Sequence, residues 1–344
     1  MLSLTKKHLM IAGVSVLLTA CGGSELDNKS AKTLYQEAVQ HLYAKDSQYN
    51  FKGEALVDIG VENPFASGLM LKIAGAVDNK QLRYEVLPEI EAGMFNVKLP
   101  IKLDINKKEL LVNPSSILDT VMMFAPQAAE EAHKYRNKFI RFSPDNFTIS
   151  KEDMAEVSTV VSELTMIGTQ ALEQASKNIP EQSIRKLELD DKAKEIGAKV
   201  IVNVELDEAQ SRALQQQVNQ FFRDSVAANT KLPEDFKKAF LEGMDEAQDD
   251  AGYESSSSFL YINDKGQPIH ERAVFNYGFD GDSVSVSLNM DYLSFGSAKF
   301  VINPAASDIV NFTEEDLRAL QGEPELYQEL EDDIEAEAGA DDEM

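Results

Sequence analysis

SFLYINDKGQPIHERAVF, residues 258–275, decides the architecture. Apolar and polar side chains alternate on both sides of Asn263-Asp264-Lys265-Gly266, which is turn chemistry, so the stretch reads as two antiparallel strands joined by a tight hairpin. Asp280-Gly281-Asp282 supplies a second turn, and a third strand follows it over residues 284–295. In that strand Val284, Val286, Leu288, Met290 and Tyr292 share one face, opposite Ser285, Ser287, Asn289 and Asp291. Period-two alternation of this kind describes a sheet with one dry and one wet side. Residues 299–302 are expected to add a final strand.

The same period recurs upstream. Phe95, Val97, Leu99, Ile101, Leu103 and Ile105 alternate with Asn96, Lys98, Pro100, Lys102 and Asp104 within a strand-rich region over residues 48–112. Pro100 has no N–H to donate, which places it at an edge or a bulge. A short strand is expected over 138–142, and another over 195–206 through Ile196, Ala198, Val200, Val202, Val204 and Leu206. Between these runs the apolar spacing changes to three and four. Helices are expected over 31–44, 116–124, 127–135, 151–177, 207–228 and 232–247, with Asp207 as a cap and Pro233 in a first turn.

About nine or more strands in one sheet tend to curl rather than lie flat. The fold class is therefore α+β: a large curled antiparallel sheet, a half-open barrel, with helices packed on its concave face. No Pro/Ser-rich linker divides the chain, so residues 31–310 are expected to form a single body, near the upper size of one hydrophobic core.

The amino terminus carries an address. Lys6 and Lys7 precede a short apolar run from Met10 to Leu18, and small residues follow, the layout of a secretory signal over residues 1–20. The run is about half the roughly 20 residues that cross a bilayer. Leu18-Thr19-Ala20-Cys21 resembles the lipobox of bacterial lipoproteins. The resemblance implies lipidation of Cys21, cleavage before it, and an outer-membrane location facing the periplasm, because Gly22 rather than Asp follows the cysteine. Cys21 is the single cysteine of the chain, so it has no internal disulfide partner. Two or more lipid chains at about 0.8 kcal/mol per buried methylene make such an anchor stable. Residues 21–30 are expected to act as a flexible tether.

Loss of Lys6 and Lys7 with the leader carries the formal charge from −26 to −28. Nucleic acid is excluded as a partner, because phosphate contacts need clustered Lys and Arg. The segment 311–344 is an acidic tail, with no basic residue from 323 onward. It reads either as a solubilising tail or as a contact site for a basic envelope partner or divalent cations.

Catalytic and metal-binding patterns do not emerge. Of the four histidines, His8 leaves with the leader, and His41, His133 and His270 stand apart with no second ligand at metal spacing. No nucleophile elbow, phosphate loop or dinucleotide fingerprint occurs. Neither an enzyme activity nor a cofactor is expected.

The layout of helix, strands, central helices and the late hairpin at 258–275, all behind a lipobox, resembles the periplasmic Lol-type lipoprotein-carrier fold and the LppX-like lipid-carrying lipoproteins. The resemblance covers about residues 31–304. It implies an acyl-chain cavity between a concave sheet and its helices. Candidate lining residues are Met94, Val97, Leu99, Met122, Met123, Phe124, Phe221, Phe222, Val286, Leu288 and Met290; each serves equally well in a closed core. The expectation is a membrane-anchored periplasmic lipoprotein that binds or carries a lipid or acyl chain, the alternative being an envelope scaffold with no small ligand.

Overall fold

The computed structural model describes residues 25–59, 69–93, 95–124, 132–143, 146, 151–246, 252–279, 282–313 and 316. Their strands are β1 (Gln48–Ile59), β2 (Leu69–Asp78), β3 (Arg83–Ala92), β4 (Phe95–Lys98), β5 (Ile101–Asp104), β6 (Glu109–Val112), β7 (Phe139–Phe142), β8 (Ile184–Leu187), β9 (Val200–Leu206), β10 (Gly252–Ile262), β11 (Pro268–Phe279), β12 (Asp282–Leu293) and β13 (Ile309–Asn311). The helices are α1 (Ala31–Tyr43), α2 (Ser115–Phe124), α3 (Lys151–Asn178), α4 (Asp191–Ile196), α5 (Glu208–Ala228) and α6 (Glu234–Glu246).

All the strands belong to one sheet, ordered β13-β7-β6-β5-β3-β2-β1-β12-β11-β10-β9-β8, with β4 pairing beside β5 on β3. Among the described residues the pairings are antiparallel except that of β13 with β7. The end strands β13 and β8 do not meet, so the curled sheet stays open. The hairpin that opened the sequence reading is β10–β11. Its turn is built as its residues dictate, with the Asn263 side chain accepting from the N–H groups of Lys265 and Gln267, and Gly266 at φ 77°.

Register fixes the two faces. Opposite one another on the concave side lie Ala55 of β1, Leu71 of β2, Leu288 of β12 and Ala273 of β11. The neighbouring rungs place Val57 beside Val286, and Phe51 beside Tyr292. The convex side of the same strands is wet. Lys72 pairs with Glu91 at 2.7 Å, Lys98 with Glu89 at 3.2 Å and Lys52 with Asp291 at 3.8 Å.

Helices cover the concave side at its β8–β11 end. Leu34 and Ala38 of α1 pack into a core with Val200, Val202, Val204, Leu260 and Ile262. Ser30 caps α1 by accepting from the Thr33 N–H, and Asp207 caps α5 in a reciprocal box with Gln210. A second apolar cluster joins α3, α5 and α6 through Ile167, Val226 and Leu232, with Phe221, Phe222, Phe236 and Phe240 around it.

Several expectations are corrected. The long alternating strand at 95–105 is broken at Leu99-Pro100 into β4 and β5, because proline cannot donate to the ladder; the Leu99 N–H and the Pro100 carbonyl bond to Pro88 and Asn113 instead. The expected strand over 195–206 starts only at Val200. Asp190 caps a short helix by accepting from Ala193, and Gly197, at φ 77°, ends it. That helix, α4, packs on the convex side with Ile201 and Tyr261.

Residues 299–302 form no strand. They lie across the convex face as a strap, held by Glu85, whose buried carboxylate accepts from the N–H groups of Val301 and Ile302 at 2.6–3.1 Å. The expected tether at 21–30 is shortened, since residues 25–28 form a turn of 3-10 helix whose Leu26 is buried in the core. Lys186 donates to the Leu26 and Asp27 carbonyls at 3.0 Å. Only the end of the helix expected over 127–135 is described, as a 3-10 turn at Ala132–Tyr135.

Candidate hydrophobic site

The concave face splits into two regions. At the β8–β11 end its apolar side chains are fully buried beneath α1 and α5. Along the middle strands they are not. Val57 of β1, Leu71 and Ile73 of β2, Val86 of β3, Phe275 of β11, and Val286, Leu288 and Met290 of β12 are all half-buried, and Ile90 is 43% exposed. These residues form an apolar trough flanked by the helical cover.

Where the trough meets α1, α3 and α5, a cavity of about 170 Å³ remains. Helices α1 and α3 supply Tyr35, Val39, Leu42, Tyr43, Leu172 and Ala175 to its wall, Ile179 follows just past the end of α3, Leu214 comes from α5, and the sheet supplies Leu260, Glu271 and Tyr292. That volume is close to the roughly 150 Å³ that admits a benzene-sized guest, and below the roughly 300 Å³ at which drug-sized sites begin. A long chain seated there must extend into the trough.

Among the described residues, Glu271 is the one carboxylate in the cavity wall. It occupies the dry register of β11, opposite Met290, and accepts a 2.8 Å hydrogen bond from the Tyr292 hydroxyl. Among the described residues no lysine or arginine pairs with it. Burial pushes its carboxyl above the usual carboxylate range, against the opposing pull of the Tyr292 hydrogen bond and the nearby His270. Burial also raises the phenols of Tyr35, Tyr43 and Tyr292, with the Glu271 charge adding to each shift.

The sequence-derived lining residues divide. Val286, Leu288 and Met290 stand together on β12 in the trough, and Val97 of β4 shares their face through its pairing with Ile90. Leu99 is half-buried at the β4–β5 break, and Met122 is half-buried on α2. Met123 points outward at 67% exposure, so it does not join them. Phe221 and Phe222 belong to the helix–helix cluster rather than to the trough. Met94, the Phe124 side chain, Cys21 and the acidic tail beyond residue 316 lie outside the described residues.

Glu271 was missed, although its sequence carried a signal. In Glu271-Arg272-Ala273-Val274-Phe275 the glutamate shares the parity of Ala273 and Phe275. His270 is buried on the convex side, its Nδ1 lying 2.8 Å from Asp291 Oδ1 and its ring edge-on to Tyr261. Among the described residues no group of His, Cys, Asp and Glu is disposed to hold a metal, and no helix is long and apolar enough to cross a membrane.

No family model matches the chain, and no curated protein matches it. Among solved structures, the chain is similar to a β-barrel-like protein of a domain of unknown function from Brucella abortus. The identity is 9%, the coverage 72% of this chain and 98% of that one, and the TM-score 0.20.

Proposed function

We propose that the protein is an exported lipoprotein, anchored through Cys21 and facing the periplasm, whose curled sheet holds or carries a hydrophobic molecule such as a lipid or acyl chain. One observation carries this reading: the dry face of the middle strands is apolar yet half-exposed, beside a cavity that side chains leave unfilled. Apolar surface left in water disfavours the unliganded state. Each methylene moved from water onto that surface contributes about 0.8 kcal/mol, so six of them supply roughly 5 kcal/mol before ordering costs.

The test uses the mature-length chain made without its leader and with Cys21→Ser, so that no covalent lipid confuses the result. Native mass spectrometry and organic extraction should reveal a co-purified apolar molecule, and a fluorescent fatty-acid probe should compete for its place. Leu288→Glu, which puts a charge in the centre of the trough, should abolish probe binding while circular dichroism shows the fold retained. A protein that purifies empty and takes up no apolar probe would end the carrier reading.

A further inference from the structure

A hydrophobic guest needs no carboxylate, so the presence of Glu271 in the cavity wall calls for a chemical reason. The cavity sits where the trough runs beneath α1 and α3, a place for one terminus of an elongated guest. Among the described residues its lining offers three tyrosines, one glutamate, one serine and otherwise apolar side chains, with no basic residue. Tyr292 satisfies one oxygen of Glu271, and no described lysine or arginine pairs with it; the neighbouring His270 is itself paired with Asp291 on the convex side.

A carboxylate or phosphate terminus would be repelled by an ionised Glu271, or would hold it to its protonated form, with no described lysine or arginine lining the cavity to offset the guest's charge. A plain hydrocarbon end would leave the carboxyl desolvated and only partly bonded, which is costly. An ammonium terminus resolves both problems. It pairs with the carboxylate where the local dielectric is low, and it finds the faces of aromatic rings, which attract cations. About 170 Å³ also suits a head of trimethylammonium size.

We propose that the cavity beneath α1 receives the ammonium head of a cationic amphiphile, with Glu271 as its counter-ion and Tyr35, Tyr43 and Tyr292 as its aromatic walls. The chain of the guest then runs outward along the trough past Met290 and Leu288. This assignment rests on the carrier reading above and adds the chemistry of the guest's head to it.

The raised carboxyl of Glu271 accords with this assignment, since a bound cation restores the ionised form that burial disfavours. The formal charge of −28 on the mature-length chain would also attract cationic amphiphiles nonspecifically. The measurement must separate the two effects, and salt does so. At about 1 M the screening length is roughly 3 Å, which removes the long-range field but spares a buried pair.

Isothermal titration of the mature-length Cys21→Ser chain would compare decyltrimethylammonium, decanol and decanoate at high salt, each below its micelle-forming concentration. The ammonium probe should bind at least about tenfold more tightly than the alcohol, and decanoate most weakly. Glu271→Gln should bring the ammonium-to-alcohol ratio to about one, whereas Glu54→Gln, which removes the same charge from the wet face, should leave it unchanged. Far-ultraviolet circular dichroism and the urea midpoint confirm that both variants fold. Equal binding of ammonium and alcohol by the parent, or a preference that survives Glu271→Gln, overturns the head-group assignment and leaves the carrier reading standing. Failure of every probe to bind overturns both.

Discussion

Glu271 occupies a position where the alternation of β11 calls for an apolar side chain. Burial raises its carboxyl above the unperturbed value of 4.5, so the folded protein keeps this proton to higher pH than the unfolded chain does. Between those two values the folded state binds more protons, and the stability contributed by this group falls as pH rises, levelling off above the folded value. Glu271→Gln removes that loss. Urea denaturation from about pH 4 to about pH 8 should therefore show the variant gaining on the parent as pH increases; a difference that stays flat would place Glu271 in a solvated setting. The contrast with Glu85 is instructive. Both are glutamates on strands, but Glu85 accepts from two backbone N–H groups of the strap, whereas Glu271 has one phenol.

At the level of elements, close approach decides how the middle strands curl. Gly75 of β2 lies directly across from Phe51 of β1, and a methyl built on Gly75 would overlap the Phe51 ring and the Glu85 carbonyl. Gly53 of β1 likewise gives room to Met290. Glycines at such points allow a sheet to bend while an aromatic ring covers the bare backbone. Gly75→Ala should cost about 1–3 kcal/mol through overpacking, read from the urea midpoint. It should also weaken uptake of an apolar probe, because Phe51 flanks Tyr292 at the cavity. A substitution without effect on the midpoint would mean that the strands separate there at little cost. The hairpin, the cap at Asp207 and the helices at 31–43 and 151–178 were legible because local chemistry specifies them, whereas the cap at Ser30 emerged only in the structure, where the sequence had suggested tether. The break at Pro100 was half-legible: proline marked an irregularity, but only pairing with β3 shows that one strand becomes two. The strap at 299–302 was illegible as such, since Phe300, Val301 and Ile302 read as strand residues until the partner of their N–H groups proves to be a side chain.

For the whole molecule, the proposed anchor and the body make separable predictions. Replacing Cys21 by Ala should abolish incorporation of labelled lipid, stop maturation at the lipoprotein cleavage step and release the protein from the membrane fraction; normal attachment would refute the lipobox reading. A guest that binds only the folded body stabilises it by about 2.7 kcal/mol at a free concentration a hundred times its dissociation constant. Extraction of the guest should accordingly lower the thermal midpoint, and addition of it should restore the loss. A strongly acidic composition favours solubility even where apolar side chains stand half-exposed in a trough.

Sequence by itself determined the α+β class, the two-faced antiparallel sheet, the late hairpin and the expectation of export, because these follow from periodicity, turn residues and short local signals. Which apolar residues lie half-exposed in a trough and which fill a helix interface was decided only in three dimensions. A leucine reads the same whether its neighbours close over it or stop short. The same holds for Glu271, whose parity was visible but whose isolation depends on α1 and α3, brought from distant parts of the chain to roof it.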